Sequence, residues 1–199
     1  MLKKWSEELS SSVSDTRVRM DGETTTSDAA ADTLVEILDG ALENDKAVWI
    51  IGNGGSVSIM AHLAVDFMNK LGLRCQALTD TSLLTCMAND FGYENVYARP
   101  LSIMGRKGDI LIAISSSGNS ENIVRAVAEC ADLGMKTVTL SGFKEDNRLF
   151  SSERGLNFYV PSTNYGTVEV GHMAILHTIA DHMEIVKNQK LAQNKASAV

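Results

Sequence analysis

Short apolar runs alternate along the chain with longer segments in which apolar residues recur every three or four positions. The runs Ala47–Ile51 and Ile110–Ile114 contain no polar residue at all. A strand buried on both faces, as in a parallel sheet, has this pattern. Apolar runs of this kind predict five strands, over 47–51, 73–78, 109–114, 137–140 and 157–160.

Apolar residues at helical spacing predict that most of the remaining segments are helices. The predicted helices cover 1–14, a second helix capped by Ser27 or Asp28, 57–71, about 82–105, 120–133 and 167–187. Strands that alternate with helices form a parallel sheet with helices on both faces. We therefore predict a three-layer α/β/α sandwich with a five-stranded parallel sheet in flavodoxin-like order, N-terminal helices and a long C-terminal helix.

The chain of 199 residues is long enough for one domain with a substantial core. We expect an N-terminal helical region over 1–45, a core over 46–188 and a frayed tail over 189–199. The polar stretch Ser14–Ser27 is predicted to connect the first two helices. It is either a surface loop or a segment beside the site of a neighbouring subunit.

Charge and composition exclude several classes of function. The net charge is −7 and no basic run is present, whereas a duplex-binding surface needs a positive stripe. The three cysteines form no CxxC pair, so neither a disulfide framework nor a thiolate metal site is predicted. The apolar runs are too short to cross a membrane, and the first residues do not resemble a signal peptide. We expect a cytoplasmic protein that binds neither nucleic acid nor membrane.

A glycine-rich loop, Gly52–Ser56, directly follows the first strand. In open parallel sheets, ligands bind beyond the carboxyl ends of the strands. Glycines allow the backbone N–H groups to approach a ligand closely, and Ser56 adds a hydroxyl. The spacing matches neither the dinucleotide-binding fingerprint nor a Walker A loop. Taken alone, this loop is almost as consistent with an ordinary strand-to-helix turn as with a binding site.

A serine-rich loop, Ser115–Ser120, follows the strand at 109–114 and precedes a helix. Its four serines, Ser115, Ser116, Ser117 and Ser120, offer hydroxyl donors beside the free N–H groups and the positive end of a helix dipole. A helix cap needs one such hydroxyl rather than four. The loop therefore indicates a phosphate site that an acidic protein can form without lysine or arginine.

With both loops in place, the chain resembles the SIS (sugar isomerase) domain and, more narrowly, the phosphoheptose isomerases. The shared motifs are Gly52–Ser56, Asn89–Glu94, Ser115–Ser120 and Glu169–His177, which together span roughly residues 47 to 185. The resemblance implies a phosphorylated sugar as substrate and a homotetramer with active sites at the subunit interfaces. It also implies a phosphate held by the four serines, with sugar contacts from Asn53, Gly54, Gly55, Ser56, Asn89, Asp90 and Glu169.

The resemblance further implies an acid/base pair and a zinc site. In the family, a histidine and a glutamate four residues later follow the glycine loop. The last helix carries a glutamine and, eight residues later, a second histidine. The glutamate and the second histidine are the acid/base pair, and all four side chains can ligate zinc. These positions fall on His62, Asp66, Glu169 and His177, which assigns catalysis to Asp66 and His177.

Two of these positions depart from the family pattern. Asp66 replaces glutamate and shortens the carboxylate arm by one methylene, and Glu169 replaces glutamine and adds a negative charge. The final helix also contains His172 and His182. Because this helix is apolar over much of its circumference, we expect both to be hydrogen-bonded core residues.

The chemistry of the retained residues favours an enzyme. A carboxylate and an imidazole suit the proton transfers of aldose–ketose isomerisation, here from sedoheptulose 7-phosphate to a heptose 7-phosphate for surface polysaccharides. A bound zinc ion could polarise the carbonyl. Two alternatives stay open: a non-catalytic module that senses a phosphosugar or binds a partner such as the replication initiator, and an isomerase or lyase for another phosphosugar.

Overall fold

The computed structural model describes residues 1–197, with side-chain surroundings up to residue 193. Its seven strands are β1 (Arg17–Met20), β2 (Glu23–Thr25), β3 (Ala47–Gly52), β4 (Arg74–Ala77), β5 (Ile110–Ile114), β6 (Lys136–Ser141) and β7 (Leu156–Tyr159). Its helices are α1 (Leu2–Ser14), α2 (Ser27–Glu43), α3 (Gly55–Asp66), α4 (Thr81–Phe91), α5 (Ala98–Met104), α6 (Glu121–Asp132) and α7 (Tyr165–Ser197).

The sheet confirms the predicted α/β architecture. Its order is β2-β1-β7-β6-β5-β3-β4, and the five strands from β3 to β7 pair in parallel. Numbered among themselves, these five strands have the flavodoxin-like order 2-1-3-4-5. The carboxyl ends of β3 and β5 are therefore adjacent, which brings the glycine loop and the serine loop together.

The five predicted strands form the parallel part of the sheet, but the total of five was too low, because the Ser14–Ser27 stretch is not a simple connection. It contains the antiparallel hairpin β1–β2, and β1 pairs with β7. Asp21 and Gly22 form the two-residue turn with φ values of 46° and 86°, which is the geometry of a type I′ turn. Val18 points into the core and is fully buried. The hairpin thus covers the β7 edge of the parallel sheet, which would otherwise be open to pairing.

Several helix boundaries differ from the sequence prediction. Helix α2 is capped by Thr26, whose hydroxyl accepts a hydrogen bond from the backbone N–H of Ala29. The segment 82–105 is divided, because Gly92 adopts a φ of 82° and a short 3-10 turn separates α4 from α5. Helix α7 continues beyond 187 to Ser197, so the segment 189–197 is helical rather than a frayed tail.

The core has two parts, one on each face of the sheet, because residues of each strand point alternately to opposite sides. On β3, Val48 and Ile50 pack with α2, α3 and α7, whereas Trp49 and Ile51 pack with α5 and α6. Both faces of β3 are buried. This arrangement explains the absence of polar residues in the strand and produces the three layers.

Within the core, His172 of α7 is fully buried, as expected, and its Nε2 lies 3.0 Å from the carbonyl oxygen of Ser141. Desolvation lowers the pKa of His172 to about 4, against the opposing effect of the hydrogen bond to Ser141. The neutral ring therefore donates through Nε2. The expectation for His182 was wrong, because that side chain is exposed.

We expect His172 to make the protein less stable in mild acid. An unfolded histidine binds a proton near pH 6.5, whereas folded His172 binds one only near pH 4. The unfolded state therefore holds more protons in this window, and the free energy of unfolding falls by on the order of 3 kcal/mol as the pH drops through it. Urea denaturation between pH 4 and 7 measures this. His172→Gln should make the free energy of unfolding less dependent on pH, while His182→Gln should not. If the free energy of unfolding changed equally with pH in wild type and both variants, His172 would be excluded as the cause.

Candidate active site

The glycine loop turns the chain from β3 into α3. Gly54 is the N-cap of α3 and has φ 54° and ψ −124°, a conformation that favours glycine. Ser56 is buried, and a β-carbon on Gly52 would lie 2.9 Å from that of Ser56, so the turn is closely packed. The start of α3 consequently lies at the carboxyl end of β3.

The serine loop has the same position on β5. The Ser115 hydroxyl donates to the Ser120 hydroxyl over 3.2 Å, and the Gly118 N–H donates to the Ser115 carbonyl over 2.9 Å. Ser120 is the N-cap of α6, but its side chain makes no capping hydrogen bond to the described part of that helix. This hydroxyl is thus available to a ligand at the positive end of the helix dipole.

The two loops line one cavity of about 230 Å³. All eight loop residues predicted to bind the substrate contribute to it, together with two residues of α7; the lining consists of Asn53, Gly54, Gly55, Ser56, Ser115, Ser116, Ser117, Ser120, Tyr165 and Glu169. Asn89 and Asp90 do not line it. They lie exposed near the end of α4, where the Asn89 amide donates to Asp90 over 2.8 Å.

A larger cavity of about 680 Å³ lies at the other end of the sheet, where β6 and β7 begin. Its lining includes Lys136 and Leu156, the first residues of those strands. It contains neither of the two loops. The smaller cavity is the candidate binding site, because convergent N–H and hydroxyl donors at a helix N-terminus bind anions.

An amide pair that the sequence analysis did not single out joins the two loops. Asn122 of α6 is buried, and the Asn53 and Asn122 side chains exchange two hydrogen bonds of 2.9 Å. The Tyr93 hydroxyl donates to the Asn53 side-chain oxygen over 3.1 Å. The glycine loop is therefore fixed to the helix that follows the serine loop.

The Asn147 side chain packs against Gly118 of the serine loop. Its buried side chain donates to the Lys144 carbonyl over 2.7 Å and accepts from the Phe150 N–H over 2.9 Å. Gly118 adopts a φ of 63°, and a β-carbon there would collide with the Asn147 side chain. A glycine is required at this position for both reasons, backbone conformation and space.

Three of the four predicted zinc ligands come together on α3 and α7. Asp66 Oδ2 lies 3.7 Å from His62 Nε2 and 3.4 Å from His177 Nδ1. The two imidazole rings lie 5.0 Å apart between centroids. His62 and Asp66 share a face of α3 because they are four residues apart. One carboxylate oxygen thus lies between two histidines.

A lysine that the sequence analysis did not single out completes this cluster. Lys70 Nζ lies 3.3 Å from Asp66 Oδ2 and 2.9 Å from Asp181 Oδ1 of α7. Hydrogen bonds to Asp181 and Asp66 raise the pKa of Lys70 against the effect of desolvation, and Lys70 in turn lowers the pKa of Asp181. Lys70 belongs to the π-helical turn Phe67–Leu71 that continues α3. The lysine therefore holds the Asp66 carboxylate from the side of α7.

The chemistry of His62, Asp66 and His177 fits a zinc ion. Two imidazoles and a carboxylate are common zinc ligands, and one ligand atom from each lies within 4.8 Å of the others. Tetrahedral bonds of about 2.0–2.2 Å place ligand atoms about 3.4 Å apart, so the ligand atoms would have to move closer together by at most about 1.4 Å. Lys70 opposes this fit, because its positive charge neutralises the same carboxylate.

Glu169 is placed differently from the other three. Its carboxylate lies over the glycine loop, where a β-carbon on Gly55 would be 2.5 Å from Glu169 Oε1. It also lines the cavity between the two loops. The negative charge faces the N-terminus of α3, which favours an anion. Within the described residues, Glu169 is not part of the His62–Asp66–His177 cluster.

The cavity and the cluster lie along the same two helices. Helices α3 and α7 pack against each other, and both begin at the cavity. His62 lies six residues beyond Ser56 on α3, and His177 lies eight residues beyond Glu169 on α7. With a rise of about 1.5 Å per residue, these separations are about 9 and 12 Å. A ligand held by its phosphate in the cavity would reach the cluster through an extended carbon chain.

Comparisons with known proteins identify the family of the chain. The SIS domain family matches residues 14–142. The phosphoheptose isomerase of Helicobacter pylori (strain P12) is 38% identical over 156 residues, covering 75% of this chain and 80% of that protein. The phosphoheptose isomerase of Geotalea daltonii is 36% identical over 157 residues, or 76% and 81% of the two chains.

Solved structures of phosphoheptose isomerases are also similar to this chain. The phosphoheptose isomerase of Neisseria gonorrhoeae superposes with a TM-score of 0.73 at 30% identity, covering 78% of this chain and 85% of that one. The Francisella tularensis enzyme gives 0.72 with the same identity and coverage. Within residues 1–197, no helix has both the length and the apolar character needed to cross a bilayer. From fold, loops and relatives together, the chain belongs to the SIS-domain family and, within it, to the phosphoheptose isomerases.

Proposed function

We propose that the chain converts sedoheptulose 7-phosphate to D-glycero-D-manno-heptose 7-phosphate. This aldose–ketose isomerisation would take place in the cytoplasm and supply heptose for surface polysaccharides. The observation that carries this proposal is the placement of a carboxylate–histidine cluster whose two histidines lie about 9–12 Å from the phosphate cradle along α3 and α7. A phosphate at C7 in the cradle leaves C1 and C2 free to reach the cluster. The relatives named phosphoheptose isomerase support the same reaction.

Asp66 is the proposed base. Its carboxylate removes the proton from C1 of the ketose, and the resulting enediol regains a proton at C2 to give the aldose. His177, whose Nδ1 lies 3.4 Å from Asp66 Oδ2, exchanges protons with the two sugar oxygens. Lys70 and Asp181 hold the short aspartate arm in place from α7. Positioning of this kind matters because an error of about 1 Å can cost about a hundredfold in rate.

Zinc is part of the proposal. His62, Asp66 and His177 would hold the ion, with Glu169 as a fourth ligand if its side chain turns away from Gly55. A bound zinc ion supplies a Lewis acid that polarises the sugar carbonyl. The side chains of this chain perform the binding, the orientation and the proton transfers.

A homotetramer with active sites at subunit interfaces is also proposed. Val65 and Met68 flank Asp66, and each is 54% exposed. Exposed apolar side chains beside a functional cluster favour a covering surface, here a second copy of the chain. Asn89 and Asp90 lie outside the cavity of their own subunit, and a neighbouring cavity is where they would contact the sugar. Light scattering should give the mass of four chains.

The two alternatives make different predictions. A sensing or partner-binding module would bind phosphosugars without turnover, and an isomerase for another substrate would bind sedoheptulose 7-phosphate weakly. Turnover followed by NMR, with and without added zinc, separates the three cases. We expect aldose to appear from sedoheptulose 7-phosphate and not from unphosphorylated sedoheptulose. Tight binding by calorimetry with no aldose formed would favour the module instead.

Lys70 is expected to weaken metal binding. Replacement of Lys70 by methionine removes the positive charge 3.3 Å from Asp66 Oδ2 but keeps a long side chain. Zinc should then bind roughly three- to tenfold more tightly, as expected for loss of one partly exposed charge pair. Competition with a chelating dye measures the affinity without any assay of activity. Lys190→Met, on the exposed surface of α7, is the control and should leave zinc affinity unchanged; unchanged affinity in Lys70→Met would contradict the assigned role.

A further inference from the structure

Tyr165 contributes the one aromatic side chain among the residues that line the phosphate cavity. It is the first residue of α7, and its side chain is 63% exposed. The neighbouring walls consist of glycine, serine, asparagine and the Glu169 carboxylate. A large apolar surface with a terminal hydroxyl therefore stands at the mouth of a polar cavity. No step of the proposed reaction uses it.

Phe143 holds this ring. The two aromatic rings meet edge to face, with centroids 4.7 Å apart and planes at 90°. Edge-to-face packing of this kind is a favoured geometry for aromatic pairs. Phe143 lies just after β6, on the edge of the sheet where the two phosphate loops also lie. The contact thus fixes one side of the Tyr165 ring from the loop that follows β6.

The backbone at Phe143 is strained. Its φ is +63°, a value that is rare for a bulky residue. Two hydrogen bonds maintain it: the Phe143 N–H donates to the Ser162 carbonyl over 2.9 Å, and the Tyr159 hydroxyl donates to the Phe143 carbonyl over 3.1 Å. Strained residues of this kind cluster at ligand sites, where the surrounding structure enforces them. Here the strain directs a phenylalanine ring onto a cavity residue.

We propose that Tyr165 is a specificity-determining wall of the phosphate cavity, with Phe143 as the residue that positions it. The ring packs against the carbon chain next to the phosphate, and the hydroxyl donates a hydrogen bond to the phosphorylated end of the sugar. A neutral donor suits a cavity that already contains the Glu169 carboxylate. Because tyrosine has only two rotatable torsions before its hydroxyl, fixing its ring costs little conformational entropy. This role deepens the isomerase function proposed above and rests on it for the identity of the sugar.

Binding by calorimetry tests the proposal, with sedoheptulose 7-phosphate and inorganic phosphate as probes. Tyr165→Ala should raise the dissociation constant of the sugar phosphate about tenfold and that of inorganic phosphate no more than about threefold. Tyr165→Phe should fall between wild type and Tyr165→Ala in sugar-phosphate affinity, because it keeps the ring and loses the hydroxyl. Ile185→Ala, an exposed apolar residue farther along α7, is the control.

Phe143→Gly tests the positioning role, because glycine accepts the positive φ without strain. It should raise the dissociation constant of the sugar phosphate in the wild-type background and add nothing in the Tyr165→Ala background. Thermal unfolding verifies that each variant is folded. Equal sugar-phosphate affinity in wild type and Tyr165→Ala would overturn the proposal, as would additive effects of the two substitutions. Binding by the wild type without turnover would contradict the isomerase function alone, since the Tyr165 comparison is made on binding.

Discussion

Replacement of Asp66 by asparagine is expected to lower kcat by about 100- to 10,000-fold, the range typical for loss of a general base. The amide keeps the size of the side chain but cannot accept the proton from C1. Sugar-phosphate affinity should change little, because Asp66 lies ten residues beyond Ser56 of the phosphate cradle, about 15 Å along α3. NMR detection of aldose formation gives kcat, and calorimetry gives the affinity.

The matched control is Asp132→Asn. Asp132 is an exposed residue of α6 whose carboxylate pairs with Arg154 over 2.6 Å, outside the cluster. Its replacement should leave kcat unchanged. His177→Ala should have an effect similar in size to that of Asp66→Asn, and the double variant should lose little more than either single one, since the two residues act as a unit. An Asp66→Asn protein that keeps more than about a tenth of its activity would place the base elsewhere.

Replacement of Gly118 by alanine is expected to abolish most phosphosugar binding. The new methyl group would occupy the space of the Asn147 side chain, at a backbone φ of 63° that disfavours alanine. To relieve both effects the serine loop must move, which separates its hydroxyls from the N–H groups of α6. We expect the dissociation constant to rise by at least about 100-fold, the equivalent of about 2.7 kcal/mol. Calorimetry with the sugar phosphate measures it.

Gly40→Ala provides the control for this substitution. Gly40 lies in the last turn of α2 with no atom within 4 Å of the added methyl position. It should stabilise the protein by about 0.5–1 kcal/mol, because glycine is unfavourable in helices, and should not affect binding. If Gly118→Ala bound the sugar phosphate as tightly as wild type, the serine loop would not be the phosphate site.

Much of the fold can be predicted from the sequence because buried parallel strands have a clear pattern. The apolar runs around Ile50 and Ile112 locate the central strands without ambiguity. The β1–β2 hairpin was missed because its strands are short and mostly exposed. The signal was present in the pair Asp21–Gly22, which favours a two-residue hairpin turn. The helical extension to Ser197 was missed because its polar residues lack the periodicity of a buried face.

The candidate site was predictable where single residue types carry the chemistry. The serine and glycine loops are contiguous in sequence, so their composition alone marks them. His62 and Asp66 share a helix face, and family resemblance connects them to His177. Glu169 was expected among the zinc ligands, whereas its carboxylate lies against Gly55. The direction of the Glu169 side chain depends on tertiary packing, which the sequence pattern does not reveal.

The supporting residues were not predictable for a related reason. Asn122 and Asn147 lie in segments that look like ordinary helix and turn, and their roles arise from contacts across the fold. Lys70 meets Asp181 over a separation of 111 residues. The pairing of Phe143 with Tyr165 depends on a backbone conformation at Phe143 that its residue type disfavours. Such long-range contacts require the folded chain.

As an isomerase, this chain must catalyse proton transfer at C1 and C2 of its phosphosugar. Incubation of the protein with sedoheptulose 7-phosphate in D₂O, followed by NMR, detects this proton transfer. We predict that an aldose signal appears and that at least part of the product carries deuterium at C2, with no exchange by Asp66→Asn under the same conditions. A sugar phosphate that binds but shows neither aldose nor deuterium after prolonged incubation would contradict the assignment as an isomerase.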